Sequence, residues 1–364
     1  MSSDFVIVVV VAAALGFGFT NGFHDTLDLV ATAVLGGAGS PQLALGIAAI
    51  LNFLGAFISV EVAHTIATDV VDPSAINPAV VFAGLLAAIV WNLATWWFGL
   101  PSSSSHALIG GVVGATIAAA GTAGVIGGGL LDKVLLPALV APLLAFAGAA
   151  VAIVLIYRFF GRRRPGSVSR IFRLAQFGSG GLLALAHGAN DIQKTTGVIT
   201  LALIANGTLG VDSEPPFWAT IGAATAIAVG TYAGGMRMLR TTSIRIIKMD
   251  AAQGFSAQGA GAVVILVATF LGFPISTTHA VNGGVMGAGA TKRLSAARWG
   301  IAGNIVTAWL LTLPAAAAVG ALAYGVMRIA GTSALGPALV AAASVLLVVL
   351  IFVRRMRGRA APAV

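Results

Sequence analysis

Gly99-Leu-Pro-Ser-Ser-Ser-Ser-His-Ala-Leu-Ile-Gly-Gly-Val-Val-Gly-Ala115 and Gly272-Phe-Pro-Ile-Ser-Thr-Thr-His-Ala-Val-Asn-Gly-Gly-Val-Met-Gly-Ala288 are two copies of one stretch. They lie 173 residues apart and agree at ten of seventeen positions. Shared low complexity does not place Pro, Ser, His and four Gly in one register, so the chain reads as a duplication. Each copy breaks a long apolar run, at Pro101 to His106 and at Pro274 to His279. A second pair matches more weakly. Asn21-Gly-Phe-His-Asp-Thr-Leu-Asp28 faces His187-Gly-Ala-Asn-Asp-Ile-Gln-Lys194, sharing Gly22/Gly188 and Asp25/Asp191. These polar stretches read as interruptions of two further apolar helices. The order is the same in each half: interrupted helix first, broken hairpin second.

Composition says what surrounds the breaks. Of the 364 residues, 58% are hydrophobic and 9% are charged, and mean hydropathy is +1.00. A soluble domain is about 45–50% apolar and about 25% charged. This chain lacks the polar side chains to cover a water-facing surface, and reads as a polytopic membrane protein. It has no cysteine, which excludes disulfide, zinc-thiolate and cysteine-nucleophile chemistry. The net charge of +9 would suggest nucleic acid in a soluble chain, but its distribution argues against that partner. The first 132 residues hold no Lys or Arg, and the basic residues collect at Arg158 to Arg173, Arg237 to Lys248, Lys292 to Arg298 and Arg354 to Arg359. Such clusters mark the cytoplasmic side and meet anionic lipid. Acidic loops at Asp4, Asp69/Asp72 and Asp212/Glu214 read as external, and Asp4 argues against a secretory leader, which starts basic.

A crossing needs about 20 apolar residues. Roughly 5–34 then crosses inward, 41–62 outward, 134–157 inward, 174–205 outward, 217–236 inward, 299–327 outward and 334–353 inward. Residues 255–290 begin and end at basic clusters, so they are predicted to form a re-entrant hairpin. Residues 79–120 are predicted to do the same from outside, although their first arm is long enough to span. Three full crossings in the first half invert the second half. The expected fold is an all-α polytopic membrane protein: an inverted-topology repeat with discontinuous helices and two re-entrant helical hairpins, the plan of many secondary transporters. Its parts are a first repeat over 1–157 with the N-terminus outside, a basic cytoplasmic linker over 158–173, a second repeat over 174–330, and a final helix with a basic cytoplasmic tail over 331–364.

The broken segments carry the chemistry. Ser and Thr are good N-caps, and here they precede Gly-rich helical arms starting near Ala107 and Ala280. A helix N-terminus offers unpaired N–H groups and partial positive charge. Two such termini meeting at the midplane, fringed with hydroxyls, make an anion site. The plainer reading is that Ser and Thr only re-satisfy backbone in kinked helices; two tips in matched positions favour the anion site. Asp25 and Asp191 are intramembrane carboxylates, functional by default, against the alternative of a buried pair such as Asp191 with Lys194. A doubly charged anion such as phosphate adds −2, Asp25, Asp28 and Asp191 add −3 and Lys194 returns +1, about −4 in all, which low dielectric does not tolerate uncompensated. Cations or protons must therefore bind with the anion. His24 and Asn190 precede the aspartates as ligands or orienting groups. His106 and His279 follow the tips and either pack, cap or bind. Glu61 and His64 read as interfacial, and Asn52, Asn92 and Asn304 as makers of interhelical hydrogen bonds.

These motifs resemble the inorganic phosphate transporter (PiT) family, whose signature pairs a duplicated Gly-x-Asn/His-Asp motif with a duplicated Pro-x-Ser-Ser/Thr-Ser/Thr-His motif. The likeness covers nearly the whole chain, in order. It implies import of inorganic phosphate coupled to a cation, H+ or Na+, by a homodimer in the plasma membrane with one site per protomer. It needs no cofactor beyond the co-transported ion. It implies phosphate contacts from Asn21, Ser103, Ser104, Ser105, Asn190, Gln193, Thr195, Ser276, Thr277 and Thr278. It implies cation coupling through Asp25, Asp191, His24 and Asp28, with Asp25 and Asp191 as metal ligands if Na+ is the coupling ion. Leu27-Asp28 stands where the family usually has Ala-Asn, which bears on stoichiometry. His24 in place of Asn resembles the bacterial branch associated with protons and metal–phosphate complexes.

Tip chemistry alone does not tell tetrahedral anions apart, so a sulfate symporter is the rival of the same class. An intramembrane hydrolase using Asp and His is the rival of another class, but His-Glu-x-x-His and Gly-x-Gly-Asp are absent and a single catalytic site gives no reason for two inverted copies. The expectation is a transporter and not an enzyme. A passive channel is the third possibility, which accumulation against a gradient would exclude.

Overall fold

A segment in lipid must satisfy its own backbone, and the helix does so within one stretch of chain. The computed structural model describes residues 2–35, 41–98, 100, 102–162, 165–242, 249–291, 299–344 and 346, with side chains for these except 2–4, 26–35, 41, 165, 235–242, 299–302, 304 and 305. The described residues form helices and no strand. They are α1 (Ser2–Leu35), α2 (Pro41–Gly55), α3 (Glu61–Thr68), α4 (Pro78–Phe98), α5 (Ser104–Ala120), α6 (Gly127–Gly129), α7 (Leu136–Phe160), α8 (Pro165–Ala205), α9 (Phe217–Thr242), α10 (Ala251–Phe270), α11 (Thr277–Ala290) and α12 (Trp299–Ala330). A π-helical stretch, Leu130–Leu135, joins α6 to α7. A further apolar helix covers Leu335–Ser344; the rest of the expected final span lies outside the described residues.

Five segments among the described residues are long and apolar enough to cross a membrane: Phe5–Asp25, Pro78–Phe98, Gly127–Phe160, Ala251–Phe270 and Val306–Ala330. The outer faces agree with this. Leu139, Leu143, Val154 and Phe159 on α7 and Leu310 and Leu322 on α12 are exposed, while Asp25, Asp191 and Lys194 are buried. Apolar outside and charged inside is the inverse of a soluble protein. The chain is a multi-pass membrane protein.

Two expectations need correction. The polar motifs at 21–28 and 187–194 do not interrupt their helices. α1 and α8 run unbroken through both. Their side chains satisfy one another across helices, so the backbone has no reason to unwind. The expected crossing at 41–62 is also not one helix: α2 stops at Gly55, and α3 starts separately at Glu61.

The two apolar runs do break where Pro101 to His106 and Pro274 to His279 stand, between α4 and α5 and between α10 and α11. Each break starts with a Gly-x-Pro. Gly272 has φ +72, a left-handed conformation open to glycine at no steric cost, and the residue before a proline is steered away from the helical region. The two breaks bond alike. Leu100 N–H donates to Thr95 O and Phe273 N–H to Ala268 O; Ser102 N–H donates to Leu100 O and Ile275 N–H to Phe273 O. Each new helix is then capped. Ser103 Oγ accepts from His106 N–H at 3.1 Å and Ser276 Oγ from His279 N–H at 3.3 Å.

Packing is reciprocal between the halves. α1 packs on α9 and α8 on α2 and α3; α5 packs on α12 and α11 on α7; α4 lies against α5 and α10 against α11. Glycines seat the tip-bearing helices. Gly110 and Gly114 on α5 face the main chain of Leu313 and Ala317 on α12, and Gly283 and Gly287 on α11 face that of Pro142 and Phe146 on α7. A Cβ at any of the four would collide with a carbonyl oxygen, so these are close backbone contacts of the small-residue kind.

Candidate functional site

α1 and α8 meet the first turns of α5 and α11. Helical spacing puts Asn21 and Asp25 on one face of α1, and His187, Asp191 and Lys194 on one face of α8, because residues three and four apart stack. Every side chain in this cluster is buried. Asp25 lies at 2.8 Å from His24 Nδ1 and accepts from Ser104 Oγ at 2.9 Å and Thr278 Oγ1 at 3.4 Å. Asp191 accepts from Asn21 Nδ2 at 3.2 Å, Thr277 Oγ1 at 3.3 Å and Lys194 Nζ at 2.5 Å. Asn21 Oδ1 also accepts from Ser104 Oγ, at 2.8 Å. Each carboxylate thus draws partners from both halves of the chain.

Two groups complete the cluster: His187, which the sequence reading left out of the site, and Lys194, which it counted only as a counter-charge beside Asp191. His187 Nε2 stands 3.1 Å from Asp191 and 3.7 Å from Asp25, bridging them. Its Nδ1 lies 3.1 Å from Asn52 Oδ1, and Asn52 Nδ2 donates to Thr231 Oγ1 at 3.0 Å. With Asn52 Oδ1 as acceptor, Nδ1 carries a hydrogen; Nε2 then faces a carboxylate, an arrangement that is attractive with a proton or a metal ion between them. Lys194 is the other. Beyond Asp191 it donates to Ser105 Oγ and to Ile275 O, both at 2.6 Å. The signal for His187 was present, since it lies at −4 from Asp191 as Lys194 lies at +3, but reading the helix as interrupted hid the face that His187 shares with that pair.

The remaining candidates fall around this cluster. Ser103 and Ser276 are turned onto their own helices as caps. Asn190 ties α8 to the end of α10, donating to Thr269 Oγ1 at 2.9 Å and Phe273 O at 3.1 Å. Gln193 donates to Ala56 O at 2.6 Å, and the Thr195 hydroxyl is buried with no hydrogen-bond partner among the described residues. The Asp28 side chain lies outside the described residues. His106 and His279 pack on each other, edge to face at 4.8 Å, and His279 stacks on Trp309 at 3.9 Å. Glu61 and His64 are exposed on α3. Asn52 bonds across helices as expected, whereas the buried Asn92 amide meets no described partner.

The arrangement holds two carboxylates, one ammonium and two helix N-termini in a buried interior. Asp25, His187 and Asp191 each offer one ligand atom, all within 4.8 Å of one another, a geometry able to hold a cation. The N-terminal turns of α5 and α11 add positive potential, and their hydroxyls are donors suited to an oxyanion. Here those hydroxyls donate to the carboxylates.

The model of the phosphate transporter family matches this chain over 21–167 and again over 161–320. A relative from Mycobacterium bovis, named "Probable low-affinity inorganic phosphate transporter", is 48% identical over 90% of this chain and 79% of its own length. Relatives of the same name from Rhizobium meliloti and Bacillus subtilis are 44% and 39% identical, each over 88% of this chain and 96% and 97% of their own. Among solved structures, "The sodium-dependent phosphate transporter" superposes with a TM-score of 0.83 at 24% identity, over 89% of this chain and 99% of that one. That likeness is one of fold.

Proposed function

This chain belongs to the phosphate transporter family, and from that premise we propose that it imports inorganic phosphate by symport with a cation, H+ or Na+. The relatives are transporters and not enzymes. The observation that carries the coupling is the sharing of donors: the Ser104, Thr277 and Thr278 hydroxyls that suit an oxyanion are the same ones that donate to Asp25 and Asp191. Phosphate entering at the helix N-termini takes these hydroxyls. The carboxylates then lose three of their donors in low dielectric while a further negative charge arrives beside them, and a cation or proton in exchange restores the balance. Anion and cation then enter together because neither is stable there alone.

Several finer readings belong to the same proposal. The reciprocal packing of the halves supports an inverted repeat, and the matched breaks support two re-entrant hairpins. An external N-terminus, a cytoplasmic C-terminus, a homodimer and carriage of phosphate as a metal complex rest on charge distribution or on the resemblance. Ser105, Asn190, Gln193 and Thr195 hold or orient the solute, and Ser103 and Ser276 present the helix ends.

The test is uptake of radiolabelled phosphate into proteoliposomes under an imposed pH gradient and, separately, an imposed sodium gradient. Accumulation against the phosphate gradient is expected under one of them, and sulfate in excess is expected not to compete. Asp25→Asn and Asp191→Asn are each expected to lower uptake by about tenfold or more, since each removes a buried charge that others are built to pair with. Wild-type rates in both variants would remove the aspartates from coupling.

A further inference from the structure

Lys194 is the buried basic side chain among the described residues, and its surroundings are specific. Its ammonium is ringed by Asp191 Oδ1 at 2.5 Å, Ser105 Oγ at 2.6 Å and the Ile275 carbonyl at 2.6 Å. These come from three places: α8, the first turn of α5, and the break before α11. An ammonium has three N–H donors, and all three are used. A carboxylate, a hydroxyl and a main-chain carbonyl released by a broken helix are also the oxygens that hold a monovalent metal ion inside a membrane transporter. The chain has filled such a cage with an ammonium of its own.

The duplication supplies a second cage for comparison. Asp191 corresponds to Asp25, Ser105 to Thr278, and Lys194 to Asp28. The first two equivalents meet, with Thr278 Oγ1 donating to Asp25 Oδ1 at 3.4 Å. In the aligned sequence Asp28 stands at the position matching Lys194, and its side chain lies outside the described residues.

We infer that Lys194 is a tethered counter-cation that permanently fills one of two matched cation sites, leaving the Asp25 side to take the exchangeable monovalent cation, proton or alkali metal. The inference rests on the cation-coupled reading of the site. It follows that the chain consumes one dissolved cation fewer per turnover than the same fold with a neutral side chain at 194.

Removing the amine reopens the cage. Purified full-length protein, wild type and Lys194→Ala, is reconstituted, and phosphate uptake is measured in choline medium and with added sodium or n-propylammonium. The alkylammonium replaces the atoms that alanine lacks. In choline the variant is expected to lose about a hundredfold in rate, as one partner of a buried pair is left alone. Sodium or n-propylammonium is expected to restore at least about tenfold of that loss, with a steeper dependence on cation concentration than the wild type shows. Wild-type uptake by the variant in choline would overturn the inference. So would a variant that melts like the wild type yet is rescued by neither cation, which would make Lys194 an anion ligand or a latch. If the alanine variant does not fold, Lys194→Met keeps the stem, and sodium is expected to raise its Tm but not that of the wild type; no rise overturns the inference. Failure of the phosphate reading itself shows separately, as absence of uptake by the wild type under both an imposed pH gradient and an imposed sodium gradient.

Discussion

At the scale of single residues, the centre of the site is two carboxylates held by donors from both halves of the chain. Asp25 and Asp191 were legible because an acid within an apolar run is costly and because the duplication places one in each half. His187 was not legible, since its role exists only on a continuous helix that stacks it over Asp191. It now carries a prediction. His187→Leu removes the imidazole that stands between the carboxylates and leaves the buried Asn52 Oδ1 without its partner, a loss of about 1–3 kcal/mol for a buried polar group left unsatisfied. Phosphate uptake should fall about tenfold or more while the protein still inserts and purifies as wild type. An unchanged rate in the uptake assay would place His187 outside the working site.

At the scale of elements, the lesson is which polar stretches break a helix. Gly-x-Pro followed by a hydroxyl run broke α4 from α5 and α10 from α11. Asn21 to Asp28 and His187 to Lys194, each with one glycine and no proline, broke nothing. A lone glycine in a helix costs only about 1 kcal/mol, less than the tertiary hydrogen bonds return. Proline alone was not decisive either, since Pro142 and Pro314 sit inside α7 and α12. The tip helices α5 and α11 are placed by their glycine seats, which the sequence showed only as abundance of glycine. Gly110→Val and Gly283→Val each put a side chain into a neighbouring main chain. Each should lower Tm by several degrees through overpacking of about 1–3 kcal/mol, whereas Gly46→Ala, which meets open space, should leave it unchanged. Thermal unfolding of the three variants in detergent distinguishes them; equal Tm values would mean that the seats are not close contacts.

At the scale of the whole molecule, composition pointed to the membrane and the repeat to the two matched breaks, while the pairing between halves needed three dimensions. Nothing in the spacing of Asn21 and Asp191, Thr278 and Asp25, Ser105 and Lys194, or Asn52 and His187 says that they touch, because each pair spans the two halves. That interleaving has a genetic consequence. If the chain is severed between α7 and α8, in the short segment 161–164, neither fragment holds a full set of partners for its own carboxylate. Expressed alone, 1–162 and 163–364 should each support no phosphate uptake. Expressed together, they should reassociate through the faces that α1 shares with α9 and α11 shares with α7, and recover a measurable part of the intact rate. The two genes of such a pair would be bound to one another as tightly as the halves of one chain: an alanine at Asp191 in one could not be offset by any number of intact copies of the other.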